Sequence, residues 1–208
     1  MIKVIACKIF ETYIKDLIGE NIDVTYLEVQ LHNTPNKLIK LLQDEIDQSQ
    51  DYEKIILLYG LCGNTLLEIK ARDIPLVVVK VHDCLGILLG GHKEYLKHFE
   101  HRKSSCWTCK GLLDNKGLSN FKDYQQWVID YGVEESDYLK SILCLPCDIY
   151  VKMDDEDNHP DYKENIQGNR QYLKDILSLQ NKDLLTLNKN EKLKLTNDDN
   201  VIEKYGIG

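Results

Sequence analysis

Short apolar runs alternate with amphipathic stretches through the first half of the chain. Lys3 to Cys7 (KVIAC), Val24 to Val29, Lys54 to Tyr59 (KIILLY) and Leu76 to Val81 (LVVVKV) are too short for core helices and read as strands. The last two are continuously apolar, as expected of strands covered by helices on both faces. Between the strands, Phe10, Tyr13, Ile14, Leu17 and Ile18 fall at helical spacing, and Gly19 stands where a helix would end. Thr34 and Pro35 read as the N-cap and first turn of a second helix with the stripe Leu38, Leu41, Leu42, Ile46. Asn64 reads as the N-cap of a helix through Ala71, and Asp83 as the N-cap of the next. The order βαβαβαβα with short connections predicts an α/β protein: a Rossmann-like open, mainly parallel sheet with helices on both faces.

The pattern is less regular beyond residue 100, and a mixed C-terminal extension is expected there. Ser104 to Cys109 reads as an edge strand, and Asp148 to Met153 as another strand. Phe121, Tyr124, Trp127, Val128 and Tyr131 mark a helix closed by Gly132, followed by a helical Ser136 to Leu143. Tyr172, Leu173, Ile176 and Leu177 lie on a last helix, and Asp183 to Leu187 with Lys192 to Leu195 bracket a turn like a hairpin. With 208 residues the chain suits one domain, a parallel core over 1–100 and the extension over 101–208.

Charge narrows the functional classes. The net charge of −8 is the wrong sign for a sequence-independent nucleic-acid binder. No apolar run approaches the roughly 20 residues that span a bilayer, and the N-terminal MIKVIACKIF is too short for a signal-peptide core. The expectation is a cytoplasmic protein with a small-molecule ligand, no nucleic acid and no membrane.

Seven cysteines, an odd number, argue against a disulfide framework in a reducing compartment and towards metal or thiol chemistry. Cys7, Cys62 and Cys84 each lie at or just past the carboxyl end of a predicted parallel strand. Those ends share one edge of the sheet, so three thiols from distant positions can meet in the ligand crevice. As buried fillers they would need no common location. Cys62 and Cys84 precede predicted helices, whose N-termini favour thiolates. Three thiolates suit zinc or an iron–sulfur cluster, with one position left open for substrate.

Neighbouring residues supply further candidates. His82 and Asp83 adjoin Cys84 as a candidate acid/base pair, Asp83 serving equally as a helix cap. His32, on the same edge, is a candidate substrate contact or a loop histidine. Gly60, Gly63 and Asn64 in GLCGN read as a turn that lets backbone approach a ligand, although no dinucleotide or P-loop fingerprint is present. Cys106-Trp-Thr-Cys109 and Cys144-Leu-Pro-Cys147 are two CxxC pairs and a possible second metal site, spaced more widely than a zinc ribbon. His92, His98 and His101 read as surface residues, and the acidic run from Asp154 as a solvated loop.

The segments IACKIF, LHNTPNKL, YEKIILLYGLCGN and IPLVVVKVHDCLGILLG resemble a prokaryotic family catalogued as domain of unknown function 1638. Weaker similarity runs through KEYLKHF, Trp107 to Gly111 and GNRQYLKDIL. The resemblance implies an anaerobic setting near corrinoid-dependent methyltransferases, hence one-carbon metabolism. The CxxC pairs are not part of the resemblance, which points to a lineage-specific addition. Three functions follow as expectations. One is an enzyme of the sulfur-transfer, methyl-transfer or lyase class at a metal or iron–sulfur site. Another is a metal or corrinoid carrier or accessory protein. The third is a metal-free enzyme with one cysteine as nucleophile.

Overall fold

The structure is a computed structural model that describes residues 1–62, 64–101, 105–115, 120–143, 147–196 and 202–206. The chain opens with β1 (Ile2–Cys7), a 3-10 turn (Lys8–Phe10), α1 (Glu11–Ile14) and β2 (Ile22–Leu27). A second 3-10 turn (Val29–Asn33) leads into α2 (Pro35–Gln48), then β3 (Lys54–Leu58), a third 3-10 turn (Thr65–Glu68) and β4 (Leu76–Val79). Next come α3 (Cys84–Leu89), α4 (His92–Glu100), β5 (Cys106–Cys109), α5 (Lys110–Asp114), α6 (Asn120–Tyr131), α7 (Val133–Leu143) and β6 (Cys147–Lys152). The chain continues through β7 (Glu164–Gln167), α8 (Arg170–Leu177), β8 (Leu184–Leu187), β9 (Glu191–Leu195) and β10 (Ile202–Gly206).

The main sheet has the order β2-β1-β3-β4-β8, parallel except for β8. One register row crosses it through Thr25, Ile5, Leu57, Val78 and Leu185. Ile5, Leu57 and Val78 are fully buried. So are most residues of β1, β3 and β4 on both faces, which requires cover on both sides. The predicted Rossmann-like α/β class is therefore the one observed. Leu38, Leu42 and Ile46 of α2 are buried at i, i+4, i+8 spacing, as their stripe anticipates. At the amino end of β1 the buried Lys3 binds Asp23 on β2 at 2.6 Å and lies 3.5 Å from Glu45 on α2, fixing strand and helix together.

Several local expectations change. The segments expected over Asp183–Leu187 and Lys192–Leu195 hold the strands β8 and β9, but these do not form a hairpin. β8 adds antiparallel to β4, extending the apolar sheet, while β9 pairs with β10. Cys106–Cys109 is an edge strand of a separate three-stranded parallel sheet, β5-β6-β7, rather than of the main one. The helix expected from Asn64 to Ala71 is a single 3-10 turn. Thr34 stands at the N-cap of α2 but does not cap it; its hydroxyl donates to the Leu31 carbonyl at 3.4 Å.

The second sheet is brought onto the first by α5. Gly111 sits against the turn that follows β1, where a Cβ would lie 1.9 Å from the Ile9 carbonyl oxygen. The Gly111 amide donates to the Tyr13 hydroxyl at 3.0 Å, and Asn115 Nδ2 donates to the Lys8 carbonyl at 3.2 Å. This contact lowers Leu112 over the carboxyl end of β1. Gly111→Ala is expected to cost about 1–3 kcal/mol through overpacking. Gly19→Ala, whose Cβ would meet only the Asn21 side chain at 3.1 Å, should stay within about 0.5 kcal/mol. Urea unfolding of the two variants measures the difference; equal stabilities would refute the docking role of Gly111.

Candidate active site at the carboxyl edge of the sheet

The chain leaves β1 towards β2 on one side and reaches β3 on the other. Connections therefore diverge at the carboxyl ends of β1 and β3, and a crevice opens there. Cys7 is the last residue of β1, Cys62 lies in the loop after β3, and Cys84 is the first residue of α3 after β4. These are three adjacent strands, so the three cysteines meet. All three line one cavity of about 270 Å³, with Tyr59, His32 and Asp83 also in its wall and Leu112 closing it from α5.

The loops after β3 and β4 are laced together. The amides of Leu61 and Cys62 each donate at 3.2 Å, to the carbonyls of Val81 and His82. Gly60 permits this approach, because a Cβ there would lie 2.4 Å from the Asp83 Cα. Cys62 then adopts φ 43°, the left-handed region, which costs a non-glycine residue roughly 1–2 kcal/mol. The Thr65 hydroxyl holds the turn by donating to the Cys62 carbonyl at 2.8 Å. A strained, buried cysteine fixed by two neighbouring loops has the character of a functional position.

The sulfurs of Cys62 and Cys84 are 3.6 Å apart. The interaction with Cys84, reinforced by His32, brings the Cys62 pKa from its ordinary 9.0 down to about 6. Cys84 shifts the other way, well above its ordinary value, because it faces Cys62 and Cys7 and its sulfur is shielded from water between them. Of the two, Cys62 is the more readily ionised. Cys7 is also lowered, first by Cys84, against burial and the negative charge on Cys62. His32 is raised, chiefly by Cys62. The expectation that helix N-termini would lower both Cys62 and Cys84 is thereby corrected. Cys62 precedes only a 3-10 turn, and neighbouring sulfurs outweigh the short α3 at Cys84.

The other candidates fall in different places. Asp83 lines the cavity and caps α3, its carboxylate accepting from the Gly86 amide at 3.0 Å. His32 stands exposed at the cavity mouth. His82 is exposed, with its ring edge-on to His92 at 4.7 Å between centroids. It reaches the site through its carbonyl, which holds the Cys62 amide. Asn64 is exposed in the left-handed conformation, and its carbonyl accepts from the Leu67 amide at 3.0 Å. Gly63 and Cys144 lie outside the described residues, as does the side chain of Cys147.

Cys106 and Cys109 are three apart on a strand, which puts their side chains on opposite faces. Cys109 is fully buried, and burial pushes its thiol up to about 12, as for a core filler. Among the described residues no group of three His, Cys, Asp or Glu side chains is arranged to hold a metal ion. Sequence reasoning passed over Tyr59 and Leu112. Tyr59 had one usable signal, since it carries the only side-chain hydroxyl in KIILLY. Leu112 had none, because only the docking of α5 brings it there.

A family model described as "Protein of unknown function (DUF1638)" matches residues 26–172, and the chain belongs to that family. The matched segment contains His32, Tyr59, Cys62 and Cys84. No curated protein and no solved structure matches the chain. Among the described residues no helix is long and apolar enough to cross a membrane.

Alkylation of the reduced protein by iodoacetamide, followed by peptide mass spectrometry, should show Cys62 reacting with a midpoint near 6, against the ordinary 9.0. A thiol with that pKa is about 90% thiolate at neutral pH, against a few per cent for a free cysteine. The Cys62–His32 pair is charged between about 6 and the raised pKa of His32. Acid removes it by protonating Cys62, and base by deprotonating His32. His32→Ala should move the Cys62 midpoint upward; a wild-type midpoint near 9.0 would refute the assignment.

Proposed function

We propose that the protein is an enzyme acting on a small molecule in the carboxyl-edge cavity, with the Cys62 thiolate as its reactive atom. The observation that carries this reading is the asymmetric thiol pair: Cys62 lowered and Cys84 raised, their sulfurs 3.6 Å apart, in one cavity with His32 at its mouth. Cys62 Sγ attacks an electrophilic carbon or sulfur and forms a new S–C or S–S bond. The leaving group departs with the electron pair of the broken bond, and the His32 imidazolium supplies its proton. A second acceptor takes the group from Cys62 and restores the thiolate. Transfer of a sulfur or acyl group belongs to this chemistry, because a persulfide or thioester on Cys62 passes its group to the second acceptor and returns the thiolate. Asp83 caps α3 and so positions Cys84.

A second reading is supported by the sulfur spacing. Two thiolates on one tetrahedral zinc ion, each about 2.3 Å from the metal, stand about 3.8 Å apart. The 3.6 Å separation of Cys62 and Cys84 is close to that. It fits two thiolates on one ion, a single soft metal or one iron of a [2Fe–2S] cluster, better than a [4Fe–4S] cluster, which takes one cysteine per iron. Cys7 or His32 would have to turn to complete the donor set. On this reading the metal supplies an open soft-acid position, and the protein is a metalloenzyme or a metal or corrinoid carrier of a methyltransferase system.

Protein purified without oxygen separates the two. With p-nitrophenyl acetate as a small acyl electrophile, the thiolate reading expects a p-nitrophenolate burst of about one equivalent. The burst should be lost in Cys62→Ser and retained in Cys7→Ser. Metal and acid-labile sulfide should then be substoichiometric. Stoichiometric zinc, or iron with sulfide, lost when Cys7, Cys62 and Cys84 are all changed to Ser, would overturn the thiolate reading in favour of the metal one.

A further inference from the structure

Tyr59 ends the apolar run of β3 and is 2% exposed, within the wall of the thiol cavity. Its hydroxyl is buried and has no hydrogen-bond partner among the described residues. A buried hydroxyl left unpaired costs about 1–3 kcal/mol, and phenylalanine would fill the same space without that cost. Burial raises its pKa, and the neighbouring sulfurs of the cavity raise it further. It therefore stays protonated and has a hydrogen to donate. The surrounding wall is largely apolar, with Val29, Leu38, Leu85 and Leu112; among the described residues its ionisable side chains besides the cysteines and Tyr59 are the carboxylates of Glu28 and Asp83 and the His32 ring, with no lysine or arginine. Such a wall suits an uncharged ligand better than an anion.

We propose that Tyr59 is the ligand-orienting donor of the thiol site, its hydroxyl hydrogen-bonding a carbonyl-type oxygen or nitrogen acceptor on a small uncharged substrate whose electrophilic atom faces Cys62. The inference rests on the reading of the cavity as a small-molecule site with a reactive Cys62. It names the substrate class: a neutral molecule with a hydrogen-bond acceptor next to the reacting atom. Tyr59 orients and the thiolate reacts, so Tyr59 should affect only those reagents that carry an acceptor.

The test compares wild type and Tyr59→Phe, reduced and oxygen-free, with two neutral alkylating probes. Iodoacetamide carries a carbonyl acceptor beside its reacting carbon, and methyl iodide carries none. Both displace iodide from carbon as Cys62 forms a thioether. Wild type should prefer iodoacetamide over methyl iodide at Cys62 more strongly than glutathione does. Tyr59→Phe should reduce that preference about fivefold, the worth of one neutral hydrogen bond, with the methyl iodide rate unchanged and a melting temperature equal or higher. An unchanged preference, or equal slowing with both probes, would overturn the role of Tyr59. A lower melting temperature would also overturn it, because the hydroxyl would then serve the fold. If wild-type Cys62 reacts no faster than glutathione with either probe, the reactive-thiolate reading fails, and the inference with it, whatever Tyr59→Phe does.

Discussion

Backbone segments 60–62 and 81–83 run close enough at the carboxyl edge to share hydrogen bonds, and that contact determines where the sulfurs lie. The missing Cβ of Gly60 makes the approach possible, since any side chain there would strike the Asp83 backbone. The approach bends Cys62 into the left-handed region and presents its side chain to Cys84. Cys84 is fixed in turn because Asp83 caps α3 at the same point. Cys7 needs no such device. It ends β1, next to β3, and the sheet order delivers it to the same crevice.

The electrostatics follow from this packing. An apolar cavity does not accept three negative charges, because each thiolate loses hydration and repels the others. The shifts divide the conflict unequally: Cys84 is pushed up and keeps its proton, Cys62 is lowered to about 6, and the interaction with Cys62 raises the His32 imidazole at the mouth. The resulting centre has a readily ionised thiol, Cys62, a second thiol 3.6 Å from it and the His32 imidazole at its mouth. Tyr59 lines the same wall and has a buried hydroxyl with no partner among the described residues. Its desolvation cost is intelligible if a ligand accepts its hydrogen bond.

Much of the fold was legible because the apolar runs of β1, β3 and β4 are short, continuous and bounded by polar and glycine-containing connections. Those runs also placed Cys7, Cys62 and Cys84 on one edge before any coordinates, since parallel strands share their carboxyl ends. What lay beyond reach was non-local. Nothing in Leu184–Leu187 says that it will pair with β4 rather than fold back on Glu191–Leu195. The roles of Leu112 and Gly111 depend on docking between two sheets. The direction of the Cys84 shift depends on sulfur neighbours that sequence spacing does not reveal. His82 sits beside Cys84 in sequence, yet the turn after β4 sends its ring outward to His92.

The central claim is that the Cys84 thiol holds Cys62 as a thiolate. It is tested most directly by following ultraviolet thiolate absorbance against pH in the reduced protein and in Cys84→Ala. Cys62→Ser serves to identify the titrating group. The wild type should show a thiolate appearing near 6 that is missing in Cys62→Ser. In Cys84→Ala that midpoint should move up towards the ordinary 9.0. A midpoint left in place without Cys84 would contradict the claim.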